Sequence, residues 1–149
     1  MASATLVDGP IEAALLIASV ETPAFGAVVV FAGNVRNSSR GKRVVSMEYT
    51  AYRPLAETEL RRIAGEAEER CRGKCALAHR LGVVPIGEAS VFVAVAAGHR
   101  AEAFDACRWA IDEIKARVPI WKRESCDDGT YWIEGEQAVL AEPPQRDND

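Results

Sequence analysis

The sequence predicts an α+β domain whose strands pair mostly antiparallel. Two long stretches show helical periodicity, apolar β-branched runs come in pairs between helices, and 149 residues suffice for one core without metals or disulfides. In order, "DGPIEAALLIASV" opens with Asp8 as a candidate helix cap and Pro10 suited to a first turn. "FGAVVVFAG" (25–33) is an apolar run bounded by glycines and reads as a buried strand. The turn-rich, basic "NVRNSSRGKR" follows, then "VVSMEYTAY" (44–52), whose alternation predicts a second strand, hairpin-paired with the first.

From Pro54 to a glycine at 73, the apolar positions Leu60, Ile63, Ala64, Ala67 and Cys71 fall at i, i+3, i+4, i+7 and i+11. That spacing is one face of an amphipathic helix. "CALAHRLGVV" and "ASVFVAVAAG" are two further strands turning at "PIGE". "RAEAFDACRWAIDEIKARV" (100–118) is the last helix, and "PIWKRE" and "TYWIEGE" are extended pieces joined at "DDG". A single domain is expected over residues 1–136, with 137–149, ending in "EPPQRDND", as a disordered polar tail.

A formal charge of −4 argues against a nucleic-acid binder that works by bulk charge, so any anion site is local. The apolar run 13–20 is too short to span a bilayer and lacks a basic leader. Cys71, Cys75, Cys107 and Cys126 form neither C-x-x-C nor a zinc-finger pattern and read as reduced thiols of a cytoplasmic protein. Walker, G-x-S-x-G and HExxH motifs are absent.

"IDEIKARVPIWKRES" (111–125) raises a sharper question about two lysines. On the last helix Phe104, Cys107, Ile111, Ile114 and Val118 define the expected buried stripe, and Lys115 lies about 40° from Ile111, at best half-exposed. Such a lysine can be tuned for acid, base or nucleophilic work. The pattern alone favours the commoner arrangement, a lysine snorkelling to water. Pro119 ends the helix; in a following extended segment Ile120, Lys122 and Glu124 share one face. Lys122 can then return towards Lys115, and each would depress the other's pKa unless an anion lay between them.

Other cations are candidate anion ligands. Arg36 lies just beyond the apolar strand, where order should be greater, whereas Arg40, Lys42 and Arg43 read as solvated loop charges. His99 and Arg100 start a helix whose dipole they oppose, a hint of a ligand, although His99 is equally well explained as a turn residue. His79 takes a structural reading, and Trp109, Trp121 and Trp132 are expected in the core.

Four segments together resemble one family, the large, catalytic subunit of molybdopterin synthase. They are "GAVVVFAGNVRNSSRGKRVVSMEYTAY", "LAHRLGVVPIGEASVFVAVAAGHRAEAFDAC", "AIDEIKARVPIWKRE" and "DGTYWIEGE", covering most of 26–136 in order. The resemblance implies an α/β hammerhead-like fold with an added antiparallel β subdomain. It implies transfer of two sulfurs from the C-terminal thiocarboxylate of a small ubiquitin-like subunit to cyclic pyranopterin monophosphate, forming the molybdopterin dithiolene. It also implies a homodimer with a small subunit docked on each side, with no metal and no cofactor. Lys115 and Lys122 then fall on the catalytic positions, and Asn34, Val35, Arg36, His99, Arg100, Arg123 and Glu124 on substrate-binding ones. Lys115 is the expected acid/base residue, and Lys122 would orient substrate or stabilise developing negative charge. "YTAY" departs from the family's "YEAY" at Thr50, which touches none of these positions. The competing reading is a non-catalytic module that binds a ubiquitin-like tail or an anionic metabolite.

Overall fold

The computed structural model describes residues 2–134 and 137–140. Ten strands and three helices follow in the order β1 (Ser3–Val7), α1 (Ala13–Val20), β2 (Ala27–Asn34), β3 (Ser38–Ser39), β4 (Lys42–Ala51), α2 (Arg53–Cys71), β5 (Lys74–Arg80), β6 (Gly82–Val84), β7 (Ala89–Ala97), α3 (Arg100–Arg117), β8 (Ile120–Cys126), β9 (Gly129–Glu134) and β10 (Gln137–Leu140). They build a mixed α/β body with two sheets. The first runs β1-β5-β7-β2 and the second β10-β9-β8-β4-β3, with β6 also on β4.

The first sheet is covered on both faces at its central strands, β5 and β7. Against one lie α2 and α3, burying Leu60, Ile63 and Ala67 with Leu77, Val93, Val95, Ile111 and Ile114. Against the other, Val20 of α1 meets Ala76, Phe92, Ala94 and Ala96. Alternate residues of β5 and β7 therefore go to opposite cores, which is why both strands read as continuous apolar runs. A third cluster, Val35, Tyr49, Leu81 and Val84, seals the junction with the second sheet.

Helix α2 follows its sequence pattern closely: Pro54 sits in the first turn, and the five periodic apolar positions are all buried. Arg72 takes the left-handed cap conformation, so Gly73 is needed for another reason. A Cβ there would lie 1.9 Å from the carbonyl oxygen of Ala96, and only glycine lets the chain press against β7.

Several expectations change. β2 and β4 do not form a hairpin: β2 pairs with β7 (Ala27↔Ala97) and β4 with β8 (Tyr49↔Lys122). β2, expected to be buried, lies at the edge of the first sheet, with Ala27, Val29 and Phe31 packed on the helix side and Val28 and Val30 exposed. β4 carries Lys42, Arg43, Glu48 and Thr50 and needs a wet face. Asp8 does not cap α1; the helix starts after Glu12, and Asp8 pairs with Arg53 instead. β1 is a strand the sequence did not suggest, recruited as the parallel neighbour of β5. Phe104, expected in the buried stripe, is 61% exposed. The small residues Ala103, Ala106 and Ala110 are buried instead and rotate the α3 contact face away from it. Trp121 and Trp132 are exposed, and Trp109, half-buried, lies under the Arg70 guanidinium. The tail expected from residue 137 begins with β10 on β9; the remainder of it, including "EPPQRDND", lies outside the described residues.

Candidate active site at the end of the last helix

The site forms where α3 hands over to β8. Val118 is already extended (φ −80°, ψ 125°), as the residue before a proline prefers, while its N–H still donates to the Ile114 carbonyl at 3.1 Å. The chain then enters the second sheet between β4 and β9, with Lys122 opposite Tyr49 on one side and Ile133 on the other. Strand alternation puts Ile120, Lys122, Glu124 and Cys126 on one face and Trp121 and Arg123 on the other.

Lys122 is half-buried, and its pKa is lowered, first by desolvation and then by the Lys115 ammonium; Arg36 and Arg40 push the same way, and only Glu124 opposes. The two lysines thus share one electrostatic neighbourhood on either side of Pro119. Lys115 is more exposed than its helical angle suggested, standing clear at the rim of α3. Beneath Lys122 the floor is Tyr49, packed edge-on against His79 at 5.1 Å between ring centroids. Burial lowers the His79 pKa to about 4, with Lys122 adding to the effect, so the ring is neutral at pH 7. Its Nδ1–H donates to the Arg80 carbonyl at 2.8 Å.

Arg36 reaches this neighbourhood because the residue before it is pinned. The Val35 N–H donates to the Glu88 carbonyl at 3.0 Å, and the Val35 carbonyl accepts from Gly87 N–H at 2.8 Å. With its side chain buried and both backbone groups hydrogen-bonded, Val35, expected to be a substrate ligand, anchors the chain beside Arg36. None of the ion pairs or side-chain hydrogen bonds among the described residues uses Arg36, Lys115 or Lys122.

Two further expected ligands are otherwise engaged. Glu124 is 2% exposed and its Oε1 accepts from Arg40 Nη2 at 2.7 Å. Arg123, on the opposite face, donates to Glu48 at 3.2 Å and lies over Trp132. Asn34 is exposed at the end of β2, beside a break in its register with β7. His99 and Arg100 are exposed at the start of α3, in a shallow concavity with Gly26 and Gly98. Fifteen residues of helix separate Arg100 from Lys115, about 22 Å along the axis. One chain therefore does not bring the two groups together.

Arg40 is the member that sequence reasoning set aside as solvated. Its signal was the two-residue span "RG" between Ser39 and Lys42, which pair across the β3–β4 hairpin. Arg40 (φ 52°) and Gly41 (φ 73°) both take positive φ, as such tight turns require. That geometry lifts the Arg40 side chain over β8. Lys42 is fixed as well, donating to the Tyr131 hydroxyl at 2.6 Å and to Asp128 at 3.0 Å.

Comparison with known proteins meets this geometry from another direction. The family model described as MoaE protein matches residues 6–117. A molybdopterin synthase catalytic subunit from rice (Oryza sativa subsp. indica) is 48% identical over 131 residues, spanning 87% of this chain and 68% of that protein. The crystal structure of molybdopterin synthase from Staphylococcus aureus superposes with a TM-score of 0.83 at 38% identity, over 87% of this chain and 95% of the other. The complex of subunits 1 and 2 of molybdopterin-converting factor from Helicobacter pylori 26695 shares the fold, with a TM-score of 0.68 at 21% identity over 95% and 91% of the two chains. With a family match that spans most of its length, and relatives this similar over nearly all of it, the chain belongs to the MoaE protein family.

Proposed function

We propose that the protein is the catalytic subunit of a molybdopterin synthase, a sulfurtransferase acting in the cytoplasm. It moves two sulfurs from the C-terminal thiocarboxylate of a small ubiquitin-like subunit onto cyclic pyranopterin monophosphate. The observation that supports this most is the group of three cations, Arg36, Lys115 and Lys122, without a carboxylate of their own among the described residues. In an acidic protein, like charges gathered without partners cost stability, and that cost is offset when an anion binds between them. A phosphate and a thiocarboxylate are two such anions.

Arg36, anchored through Val35, presents a fork suited to the phosphate. Lys122, with burial and neighbouring cations holding its pKa down, is suited to acid–base work. Lys115, exposed at the rim, meets the incoming C-terminus in this reading. Each thiocarboxylate delivers one sulfur: its sulfur bonds to a substrate carbon, and water then cleaves the acyl–sulfur bond and leaves the small subunit ending in a carboxylate. A second thiocarboxylate supplies the second sulfur. The two ammonium groups stabilise the oxygen-centred negative charge that develops. His99 and Arg100 act on the site of a second copy, since their own lysines lie a helix length away. This is the reason for a homodimer, with a small subunit at each end. The same reading places the body in the hammerhead-like arrangement with an antiparallel subdomain.

The test is an in vitro assay with cyclic pyranopterin monophosphate and the thiocarboxylated small subunit. Dithiolene product that vanishes in Lys115→Ala, in a protein that still binds its partner, is the expected result. No product from folded wild type would leave a binding module.

A further inference from the structure

Glu124 is an odd residue to find beside a cation site that works on anions. It is buried, it is negative, and it lies two residues from Lys122 on the same face of β8. Left alone, such a carboxylate would close on the nearest ammonium and hold it protonated. The structure shows another arrangement. Glu124 Oε1 is occupied by Arg40 Nη2 at 2.7 Å and by the Cys126 thiol at 3.2 Å. Arg40 comes from a tight turn 84 residues away in sequence, held there by the Ser39↔Lys42 pairing. The arginine at a positive-φ turn position, where asparagine, aspartate or glycine is usual, is thereby explained by what its side chain reaches.

We propose that Arg40 and Glu124 form a positioning pair, in which Arg40 keeps the Glu124 carboxylate off Lys122 and so leaves that ammonium free to exchange its proton. This rests on the reading of Lys122 as the acid–base group. Arg40 and Glu124 are positioning residues here and touch no reacting atom.

The surroundings of Lys122 leave Glu124 a singular place. Lys115 from α3, Arg36 from the β2–β3 connection and Arg40 all bring positive charge; among the described residues Glu124 is the one acid whose field reaches it. Tyr49 opposite on β4 has its pKa raised, first by burial, and His79 on β5 behind it is neutral, so neither supplies charge near pH 7. Across β9, Tyr131 stands opposite Glu124 and is engaged by Lys42. The thiol of Cys126, raised to about 11 chiefly by burial and by Glu124, stays protonated and donates to the carboxylate. The balance at Lys122 therefore turns on whether Glu124 faces Arg40 or the lysine.

The two members of the pair should act in opposite directions. With Arg40→Gln, Glu124 is released towards Lys122 and the lysine holds its proton to higher pH. With Glu124→Gln, only cations remain and the lysine gives up its proton at lower pH. A direct readout is competitive trace acetylation with acetic anhydride across pH 6 to 10 on the full-length protein, with Lys122 and the remote Lys74 quantified by mass spectrometry. Expected is roughly tenfold lower reactivity of Lys122 near neutral pH in Arg40→Gln, corresponding to a shift of about one pKa unit. Greater reactivity is expected in Glu124→Gln, near-wild-type reactivity in Arg40→Lys, and no change at Lys74. Because Arg40 also acts on Lys122 by its own charge, Arg40→Gln is repeated on Glu124→Gln, or on Glu124→Leu if that variant fails to fold by circular dichroism. An equal shift without the carboxylate overturns the pair. Unchanged Lys122 reactivity in folded Arg40→Gln overturns the pair, whatever the sulfur-transfer yield. Shifted reactivity in a protein that makes no dithiolene product sustains the pair and overturns the catalytic reading instead.

Discussion

Arg117 and Lys115 stand two residues apart on α3, and the regions they face solve opposite problems. Arg117 looks towards α2 and meets acids from both helices: Glu66 at 2.7 Å, Glu113 at 3.3 Å and Glu59 at 3.3 Å. Lys115 looks towards the second sheet and, with Lys122 and Arg36, meets no acid among the described residues, because the one acid at hand is taken by Arg40. The helix-covered side of the first sheet is dry and its charges are matched at the rim. The face of the second sheet at β8 is half-open, and there Arg40 takes Glu124 while Lys122 is left unmatched. A cation is structural where a neighbouring element supplies carboxylates and available for a ligand where it does not.

This contrast can be broken from either side. The largest effect is expected on chemistry. Lys122→Ala should lower dithiolene formation by about 10²- to 10⁴-fold, the usual worth of a positioned acid–base group, with the melting temperature nearly unchanged. A large loss of stability in that variant would make Lys122 a structural residue and erase the distinction. On the other side, Ile63→Ala empties a fully buried position between α2 and the first sheet and should cost about 2–5 kcal/mol in chemical denaturation. The folded fraction should keep its turnover.

The next effect links the two regions through pH. Burial holds the His79 pKa at about 4, against 6.5 for the free side chain. As pH falls through 6.5 the unfolded chain takes up a proton that the folded chain refuses until about pH 4. The stability is therefore complete above pH 6.5 and declines by up to about 3 kcal/mol on the way down to pH 4. Unfolding free energies between pH 6.5 and 5 should show this slope, and His79→Gln should flatten it. A slope that survives the substitution would place the titrating group elsewhere. The smallest effect belongs to Arg117→Ala, whose side chain is 29% exposed. Solvent screens its ion pairs, so a loss of about 1 kcal/mol or less is expected, with turnover intact. A fall in turnover there would show that the charge network and the lysine site are coupled along α3.

The sequence was most legible where one local rule governs. The ends and buried face of α2 followed from Pro54, Gly73 and the spacing of five apolar residues, since a long amphipathic helix has one way to hide its stripe. Pro119 and strand alternation likewise put Lys122 and Glu124 on one face of β8 before any packing was considered. Legibility failed where a partner distant in sequence decided the outcome. β2 and β4 are close in sequence and read as a hairpin, yet β7 and β8 claimed them. β1 has too short a pattern to declare itself without β5 alongside. Phe104 fits the helical stripe by angle, but the alanines beside it set the contact face of α3.

The site divides in the same way. Residue types and their spacing around Pro119 were enough to nominate the two lysines, and the family resemblance supplied a chemistry for them. What those neighbours do to one another was out of reach. That Val35 anchors, that Glu124 is buried and occupied, that Arg40 occupies it, and that His99 and Arg100 lie a helix length from their own lysines depend on contacts across the fold. By itself the sequence determined the local periods, the chain breaks and the chemical groups, because these are set by bonds and nearest neighbours. Only the tertiary structure decided which charges are matched and which are left free, because burial and Coulomb energy depend on distances through space that no spacing along the chain encodes.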